Sequence, residues 1–257
     1  MKKIIAMLLA ALMIVGLVAC GEIATTNEPT GTTAPAFDAT AKSEGTMTYA
    51  EYDAAELDTE VTVECFVQAH QSWWDNKITV YAQDPDGAYF MYNMTCAEAD
   101  AEKLAPGTKI KVKGFKAAYK GEVEIIDCTF EIMEGTWVAT ATDVTSLLAS
   151  EELIKEQNKF VAIKGAKIVA SKNAAGEEAA FLYNWDGSGT AGNDLYFNIE
   201  VDGAVYNMCV ESYLTGDGTA AYDAVEALAI GDTVDLEGFL YWYDGVNPHI
   251  TGVTKAA

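Results

Sequence analysis

Apolar and polar residues alternate along much of this chain, with the period of two that is typical of half-buried β-strands. The clearest run is residues 61–67, which read Val-Thr-Val-Glu-Cys-Phe-Val. An Asp-Pro-Asp-Gly turn at 84–87 separates two further runs and predicts a hairpin. Over residues 48–134 the pattern predicts three strands, a short helix and two more strands, at 61–67, 77–82, 88–92, 97–104, 108–116 and 122–132.

This order of elements is that of an OB-fold, a five-stranded Greek-key barrel with a helix between strands three and four. The segment that begins the fourth strand recurs later in the chain. Leu104–Phe115 matches Leu228–Phe239 at a constant offset of 124, and such a repeat predicts two copies of one domain. Gly114 and Gly238 hold equivalent positions, where a strand must coil sharply to close a barrel.

The second copy begins with a strand at 160–165, which matches 61–65 at an offset of 100. The change from 100 to 124 places about 24 extra residues inside the second copy, and the turn-rich stretch Trp185–Asp194 is their expected position. The predicted fold class is therefore all-β, with two OB-like five-stranded Greek-key barrels in tandem, each with a short helix between strands 3 and 4. The predicted domains are 48–134 and 135–257, the second with the insertion.

Residues 1–19 have the layout of a secretory signal peptide. Lys2 and Lys3 precede an uncharged apolar run at 4–18, and small residues follow it. Residues 20–47 are rich in Thr, Ala, Pro and Gly and lack the apolar content to order themselves. They are predicted to form a flexible tether.

The tetrapeptide Leu-Val-Ala-Cys at 17–20 resembles the lipobox of bacterial lipoproteins. With the strands at 61–67 and 161–165 and the repeated Gly-Phe segments, it makes the chain similar to exported tandem OB-fold lipoproteins of anaerobic, mostly Gram-positive, bacteria. The resemblance implies cleavage before Cys20, then thioether lipidation and N-acylation (palmitate) of that residue. It implies anchoring to the cell membrane on its extracytoplasmic side, and it implies no reaction. An ordinary signal peptide with an incidental Cys20 is the alternative.

The charge balance is strongly acidic. The 257 residues include 39 acidic and 16 basic ones, for a formal net charge of −23, and every basic residue is lysine. Phosphate binding and base readout rely on clustered Lys and Arg. The composition therefore predicts that nucleic acid is excluded as a partner.

Candidate catalytic and metal-binding patterns are sparse, so we expect no cofactor, no metal and no enzyme activity. The two histidines, His70 and His249, fall in different copies, and no Cys/His zinc spacing appears. The cysteines after residue 20 are expected to be buried free thiols, with one disulfide in the first copy as the alternative; they are Cys65, Cys96, Cys128 and Cys209. An ordinary loop is favoured at 186–194, with a Ca²⁺ site as the alternative.

Aromatic residues cluster in two predicted loops. Trp73 and Trp74 follow the first strand, and Tyr241, Trp242 and Tyr243 end the fourth strand of the second copy. In OB-folds these loops flank the ligand face. The leading hypothesis is a non-catalytic binding module for an extracellular glycan or glycopeptide. The alternatives are aromatics that join the barrels, a scaffold role within an envelope-protein complex, and a hydrolase that uses scattered carboxylates.

Overall fold

The computed structural model describes residues 37–256. The predicted signal peptide, Cys20 and most of the predicted tether lie outside this range. Within it, no helix is long and apolar enough to cross a membrane. The helices are α1 (Tyr49–Ala54), α2 (Glu98–Ala101) and α3 (Ala220–Glu226), with 3-10 helices at Thr145–Leu147 and Glu151–Glu156. The strands are β1 (Glu60–His70), β2 (Lys77–Gln83), β3 (Ala88–Thr95), β4 (Thr108–Tyr119), β5 (Glu122–Thr136), β6 (Thr142–Asp143), β7 (Phe160–Val169), β8 (Ser171–Lys172), β9 (Glu178–Ala179), β10 (Leu182–Tyr183), β11 (Leu195–Val201), β12 (Ala204–Val210), β13 (Thr233–Phe239) and β14 (His249–Lys255).

The first barrel is a closed sheet with the strand order β1-β2-β3-β5-β4. All neighbouring strands are antiparallel except β3 and β5, which pair in parallel at Met91 and Ile125. The alternating apolar residues of the strands fill the interior, where Val61, Val63 and Ile110 are almost completely buried. The predicted five-stranded barrel and its helix between strands three and four are confirmed.

The second barrel repeats this arrangement. Strand β7 pairs with both β11 and β13, β11 pairs with β12, and a parallel β12–β14 contact at Cys209 and His249 completes the ring. Helix α3 again lies between the third and fourth strands of the barrel. The fold is therefore a tandem pair of closed five-stranded barrels, as predicted.

The insertion lies between the first two strands of the second barrel. Residues 170–194 connect β7 to β11, whereas residues 71–76 connect the equivalent strands β1 and β2. The insertion forms the small β8–β9 hairpin and adds β10 to the edge of β11. The two barrels thus differ most at this loop.

Gly114 and Gly238 lie where β4 and β13 cross their partner strands at close range. A Cβ added at Gly114 would lie 2.5 Å from Cys128 Cβ and 2.7 Å from the carbonyl oxygen of Ile126. One added at Gly238 would meet the backbone of His249. The strand register shifts at both positions, so the repeated glycine marks the point at which each barrel closes.

The four cysteines in the described range are buried and free, which confirms the free-thiol prediction; they are Cys65, Cys96, Cys128 and Cys209. Burial raises the pKa of each thiol, because the thiolate would lose its hydration. These residues therefore serve as small apolar core groups.

An aromatic cluster joins the two barrels. Tyr81 of β2 stacks on Phe239 of β13 with ring centroids 4.6 Å apart, and its hydroxyl lies 2.7 Å from His249 Nδ1. Phe90 packs against the same ring of Tyr81 at 5.0 Å. Burial lowers the pKa of His249 to about 4, so its imidazole is neutral at physiological pH.

Residues 37–47 lie against the first barrel. Phe37 packs edge-on against Phe66 at 5.9 Å, and Met47 pairs with Val63 of β1. The Lys42 ammonium, whose side chain is 9% exposed, lies 2.6 Å from a fully buried Asp84 carboxylate oxygen. The folded part thus extends N-terminally of residue 48, into the sequence assigned to the tether.

Candidate ligand-binding groove

Trp73 and Trp74 share one tight turn but have different environments. Asp75 and Asn76 take positive φ values of 47° and 58°, and a backbone pairing of Trp74 with Lys77 closes the turn. The Trp73 ring is half-buried, and its Nε1 donates to the carbonyl oxygen of Cys96 at 2.9 Å. Trp74 is 73% exposed. The turn therefore anchors one indole and presents the other to solvent.

A groove of about 490 Å³ opens beside this turn. The indoles of Trp73 and Trp74 and the ring of Tyr213 supply its aromatic surface. The other lining residues are mostly polar; they are Gln71, Ser72, Lys77, Ile78, Thr79 and Asn93. Since Tyr213 belongs to the second barrel, the groove is built by both barrels.

Tyr213 is held in place by the first barrel. The backbone N–H of Ser72 donates to the Tyr213 carbonyl oxygen at 2.7 Å. Beside it, Gln71 Nε2 donates to Glu211 Oε2 at 3.0 Å, and the N–H of Tyr213 donates to Glu211 Oε1 at 3.2 Å. The Tyr213 ring remains 68% exposed. These contacts fix the backbone beneath an exposed aromatic side chain.

The Glu211 carboxylate accepts hydrogen bonds from both sides of this contact, from Gln71 and from Tyr213. Burial raises its pKa to about 7, helped by the negative charge of Asp194, while hydrogen bonds from Tyr213, Leu214 and Gln71 act in the opposite direction. Glu211 therefore titrates near neutral pH while it holds the two walls of the groove together.

Thr79 and Asn93, two polar residues that line the groove, are hydrogen-bonded to each other. Thr79 is 3% exposed, and its Oγ1 accepts a hydrogen bond from the Asn93 backbone N–H at 3.1 Å. Asn93 has a positive φ of 51°, which the Asx side chains tolerate better than most. The hydroxyl and the amide give the groove both donors and acceptors.

The second predicted aromatic cluster lies elsewhere. Tyr241 stacks on His249 with centroids 4.3 Å apart and packs between the barrels. Trp242 is half-buried against the second core. Tyr243 is 50% exposed and contacts Tyr119 at 6.2 Å. None of the three aromatic residues lines the groove, and they belong to the junction between the barrels, which was the stated alternative.

Tyr213 was missed in the sequence. It follows β12, in a stretch with neither a paired aromatic nor an equivalent in the first copy. A short Ser-Tyr-Leu segment directly after a predicted strand was the available signal. That signal indicates that the Tyr213 ring is exposed. It does not indicate which other residues lie beside the ring.

A metal centre is absent from residues 37–256, in the sense that no group of three or more His, Cys, Asp or Glu side chains could hold an ion. In the insertion, Asp186 Oδ1 accepts the Ser188 N–H and Asn193 Oδ1 accepts the Thr190 N–H, both at 2.9 Å. These oxygens bind the backbone of their own loop. The ordinary-loop interpretation therefore fits this segment better than the Ca²⁺ alternative.

No protein-family model and no curated protein matches the sequence. Among solved structures, the chain is similar to the tetrameric p202 HIN2, with 13% identity and a TM-score of 0.32 over 79% of this chain and 96% of that chain. It is also similar to a murine DNA binding protein bound with double-stranded DNA, with 14% identity and a TM-score of 0.36 over 76% of this chain and 96% of that chain. Likeness at this level concerns the fold and carries no ligand over to this chain.

The prediction that excluded nucleic acid as a partner is wrong in the light of these structures. The similar structures include three double-stranded DNA complexes, those of the murine protein, the Ifi202 HINa domain and p202 HIN1. Net charge averages over the whole surface, whereas a ligand meets one face of the molecule. Composition alone therefore leaves nucleic acid among the classes to be tested.

Proposed function

We propose that this protein is a membrane-anchored extracytoplasmic lipoprotein whose two barrels form a non-catalytic binding module for a glycan or glycopeptide. The groove between Trp74 and Tyr213 is the binding site. The observation that carries the proposal is the pairing of two well-exposed aromatic rings with hydrogen-bonding side chains in one concave site.

The exposed rings supply the apolar part of recognition. Trp74 and Tyr213 are 73% and 68% exposed, so each leaves a large aromatic surface in water. A sugar ring has an apolar face of C–H groups, which packs on an aromatic ring and removes both surfaces from water. Hydrogen bonds hold the backbone beneath both rings, which lowers the ordering cost of binding to that of the side chains.

The polar lining supplies orientation. Gln71, Thr79 and Asn93 offer hydroxyl and amide groups beside the rings, and these groups both donate and accept hydrogen bonds. Sugar hydroxyls have the same dual character. An apolar surface with a few convergent polar groups is typical of small-molecule sites, and a volume of about 490 Å³ lies within their usual range.

The shape of the site favours a glycan over a protein surface. Protein docking sites expose wide apolar patches, commonly of a few hundred Å². Here separate aromatic rings share one groove with polar side chains that include Gln71, Thr79 and Asn93. A narrow chain with alternating apolar faces and hydroxyl edges fits this arrangement better than a flat apolar patch.

The location rests on the N-terminal sequence. The basic, apolar and lipobox segments at 1–20 would direct export and attach acyl chains to Cys20. Several acyl chains on one residue anchor a protein stably, whereas a single chain binds a membrane marginally. The barrels would then meet extracellular or envelope glycans.

The proposal is tested by binding of the purified protein to arrays of neutral polysaccharides, acidic polysaccharides and peptidoglycan fragments, with double-stranded DNA as a separate arm. We expect Trp74→Ala and Tyr213→Ala each to weaken glycan binding about tenfold, because each removes one stacking surface of roughly 1.4 kcal/mol. Trp185→Ala is the matched control, since this indole is 76% exposed and lies outside the groove.

Three outcomes would contradict the proposal. The first is an absence of glycan binding across the arrays. The second is glycan binding that Trp74→Ala and Tyr213→Ala leave unchanged. The third is saturable binding of DNA alone, with loss of binding in the groove variants.

A further inference from the structure

Lys77 alone carries a charge among the described residues that line the groove. The other lining side chains are aromatic, aliphatic or uncharged polar groups. The chain as a whole has a formal net charge of −23. The lining of the groove therefore has the opposite sign to the molecule around it.

The turn that presents Trp74 also fixes the position of Lys77. Each of the two residues donates its backbone N–H to the carbonyl oxygen of the other, at 3.0 Å from Trp74 and 2.9 Å from Lys77. Both residues between them, Asp75 and Asn76, have positive φ, as in a two-residue turn of type I′. Residues directly opposite each other in an antiparallel pair extend from the same face, with Cβ atoms about 4.5–5.5 Å apart. One sugar unit can therefore touch both the Trp74 indole and the Lys77 side chain.

The Lys77 ammonium has no protein partner within residues 37–256. Eleven lysines in this range form salt bridges, and Lys116 donates to three backbone carbonyl oxygens. Across the same residues, only Lys77 and Lys167 make neither kind of contact. Lys167 is exposed on β7 and lies outside the groove. Lys77 is thus an unpaired cation within the candidate site.

The carboxyl groups of the segments around the groove leave Lys77 unneutralised. Asp75 is exposed in the turn and does not line the groove. Glu211 accepts hydrogen bonds from Gln71 and Tyr213 instead, and its pKa of about 7 keeps a fraction of this carboxyl protonated at neutral pH. Neither of the two carboxyl groups forms a salt bridge with Lys77 in the described structure.

The charge pattern defines how the charges of a ligand are spaced. A lysine ammonium is a compact point charge with three donors, and it pairs with a carboxylate from many directions. A polymer with closely spaced charges needs several cations for binding, and the acidic surface of this protein repels it. One carboxylate on an otherwise uncharged sugar surface matches a groove that has one cation.

We propose that the groove selects a glycan with a carboxylate-bearing sugar unit, whose ring packs on Trp74 while its carboxylate binds Lys77 Nζ. This selectivity rests on the function proposed above for the groove. It makes Lys77 the residue that distinguishes acidic from neutral glycans, whereas Trp74 and Tyr213 contribute to the binding of both.

The test is isothermal titration of the full-length protein with hyaluronan and galacturonan oligosaccharides and with the carboxyl-reduced form of each. The wild type should bind an acidic probe about fivefold more tightly than its reduced form, which is the upper range for an exposed ion pair. Lys77→Met should bind the acidic probe about fivefold more weakly and the reduced probe unchanged. Lys77→Arg should keep the preference, because it keeps the charge.

Lys167→Met is the matched control, because it removes the other lysine that lacks an ion pair and leaves the groove intact. Its affinities should equal those of the wild type. The Lys77 side chain makes no polar contact within the described residues, so Lys77→Met should melt within about 2 °C of the wild type. That measurement separates a loss of charge from a loss of folding.

The selectivity is overturned if acidic and reduced probes bind equally, if Lys77→Met keeps the preference, or if Lys77→Arg loses it. Equal binding that Trp74→Ala and Tyr213→Ala both weaken would overturn the role of Lys77 alone and leave the glycan function in place. An absence of binding by every glycan probe would overturn the function of the groove and this selectivity together. Binding of double-stranded DNA that depends on Lys77, without binding of the acidic oligosaccharides, would also overturn it.

Discussion

The Glu122→Gln substitution should remove a large part of the pH dependence of stability. Glu122 is fully buried at the junction between the barrels, where its Oε2 accepts the Trp242 N–H at 2.9 Å and lies 3.3 Å from Gln157 Nε2. Burial raises the pKa of this carboxyl to about 8 against the hydrogen bond from Trp242. The amide of a Gln at this position keeps an acceptor for Trp242 and carries no charge.

The sign and the size of the effect follow from proton linkage. A carboxyl with a pKa of about 8 in the folded protein and an ordinary pKa of 4.5 binds its proton more tightly in the folded protein. Its stabilising contribution is complete below the lower value and is lost as pH rises through the higher one. Each pKa unit corresponds to about 1.4 kcal/mol. The difference between the two pKa values therefore amounts to roughly 4–5 kcal/mol of folding stability.

The assay is urea unfolding followed by tryptophan fluorescence at about pH 5 and about pH 9. Relative to the wild type, Glu122→Gln should change the free energy of unfolding by less than about 1 kcal/mol at the lower pH. At the higher pH it should be more stable by about 4 kcal/mol. The matched control is Glu134→Gln on the same strand, whose side chain is exposed. A difference between Glu122→Gln and wild type that stays constant with pH would refute the reasoning.

Two further pairs of substitutions, each with its own control, test the packing at Gly114 and the buried ion pair of Lys42 by the same unfolding assay. Gly114→Ala should cost about 2–3 kcal/mol, because its Cβ meets Cys128 at 2.5 Å; Gly252→Ala, with 3.5 Å to its nearest neighbour, should cost less than about 1 kcal/mol. Lys42→Met should cost about 3 kcal/mol by leaving a buried carboxylate unpaired, whereas Lys113→Met, from an exposed ion pair, should cost less than about 1 kcal/mol. Equal losses within either pair would contradict the packing or the ion-pair argument concerned.

The barrels were predictable because the signals that define them are local or repeated. The alternation at 61–67 identifies β1 without knowledge of its partners, and the repeat around Gly114 and Gly238 identifies the closing strands. The predicted strand ends differ from the observed ones by a few residues. Those ends depend on pairing, as where β1 continues beyond residue 67 to His70 beside β2.

The groove was only half predictable. Trp73 and Trp74 stand out in the sequence, but Tyr213 joins them through a contact with Ser72 that spans 141 residues. For Tyr241 the alternation indicates a ring outside the core of its own barrel. Both a ligand face and a barrel junction satisfy that condition, and the choice is made by Phe90 and His249, which supply the packing partners.

The attachment of residues 37–47 determines how mechanical load would enter the folded part. Lys42 Nζ is bound to Asp84 Oδ2 at 2.6 Å and to the carbonyl oxygen of Glu64 at 2.7 Å. A pull on the N-terminal end would therefore reach β1 and the β2–β3 turn before it reached helix α1. These contacts of Lys42 would have to break before the first barrel opened, so a force applied at residue 37 would leave the groove intact until they failed.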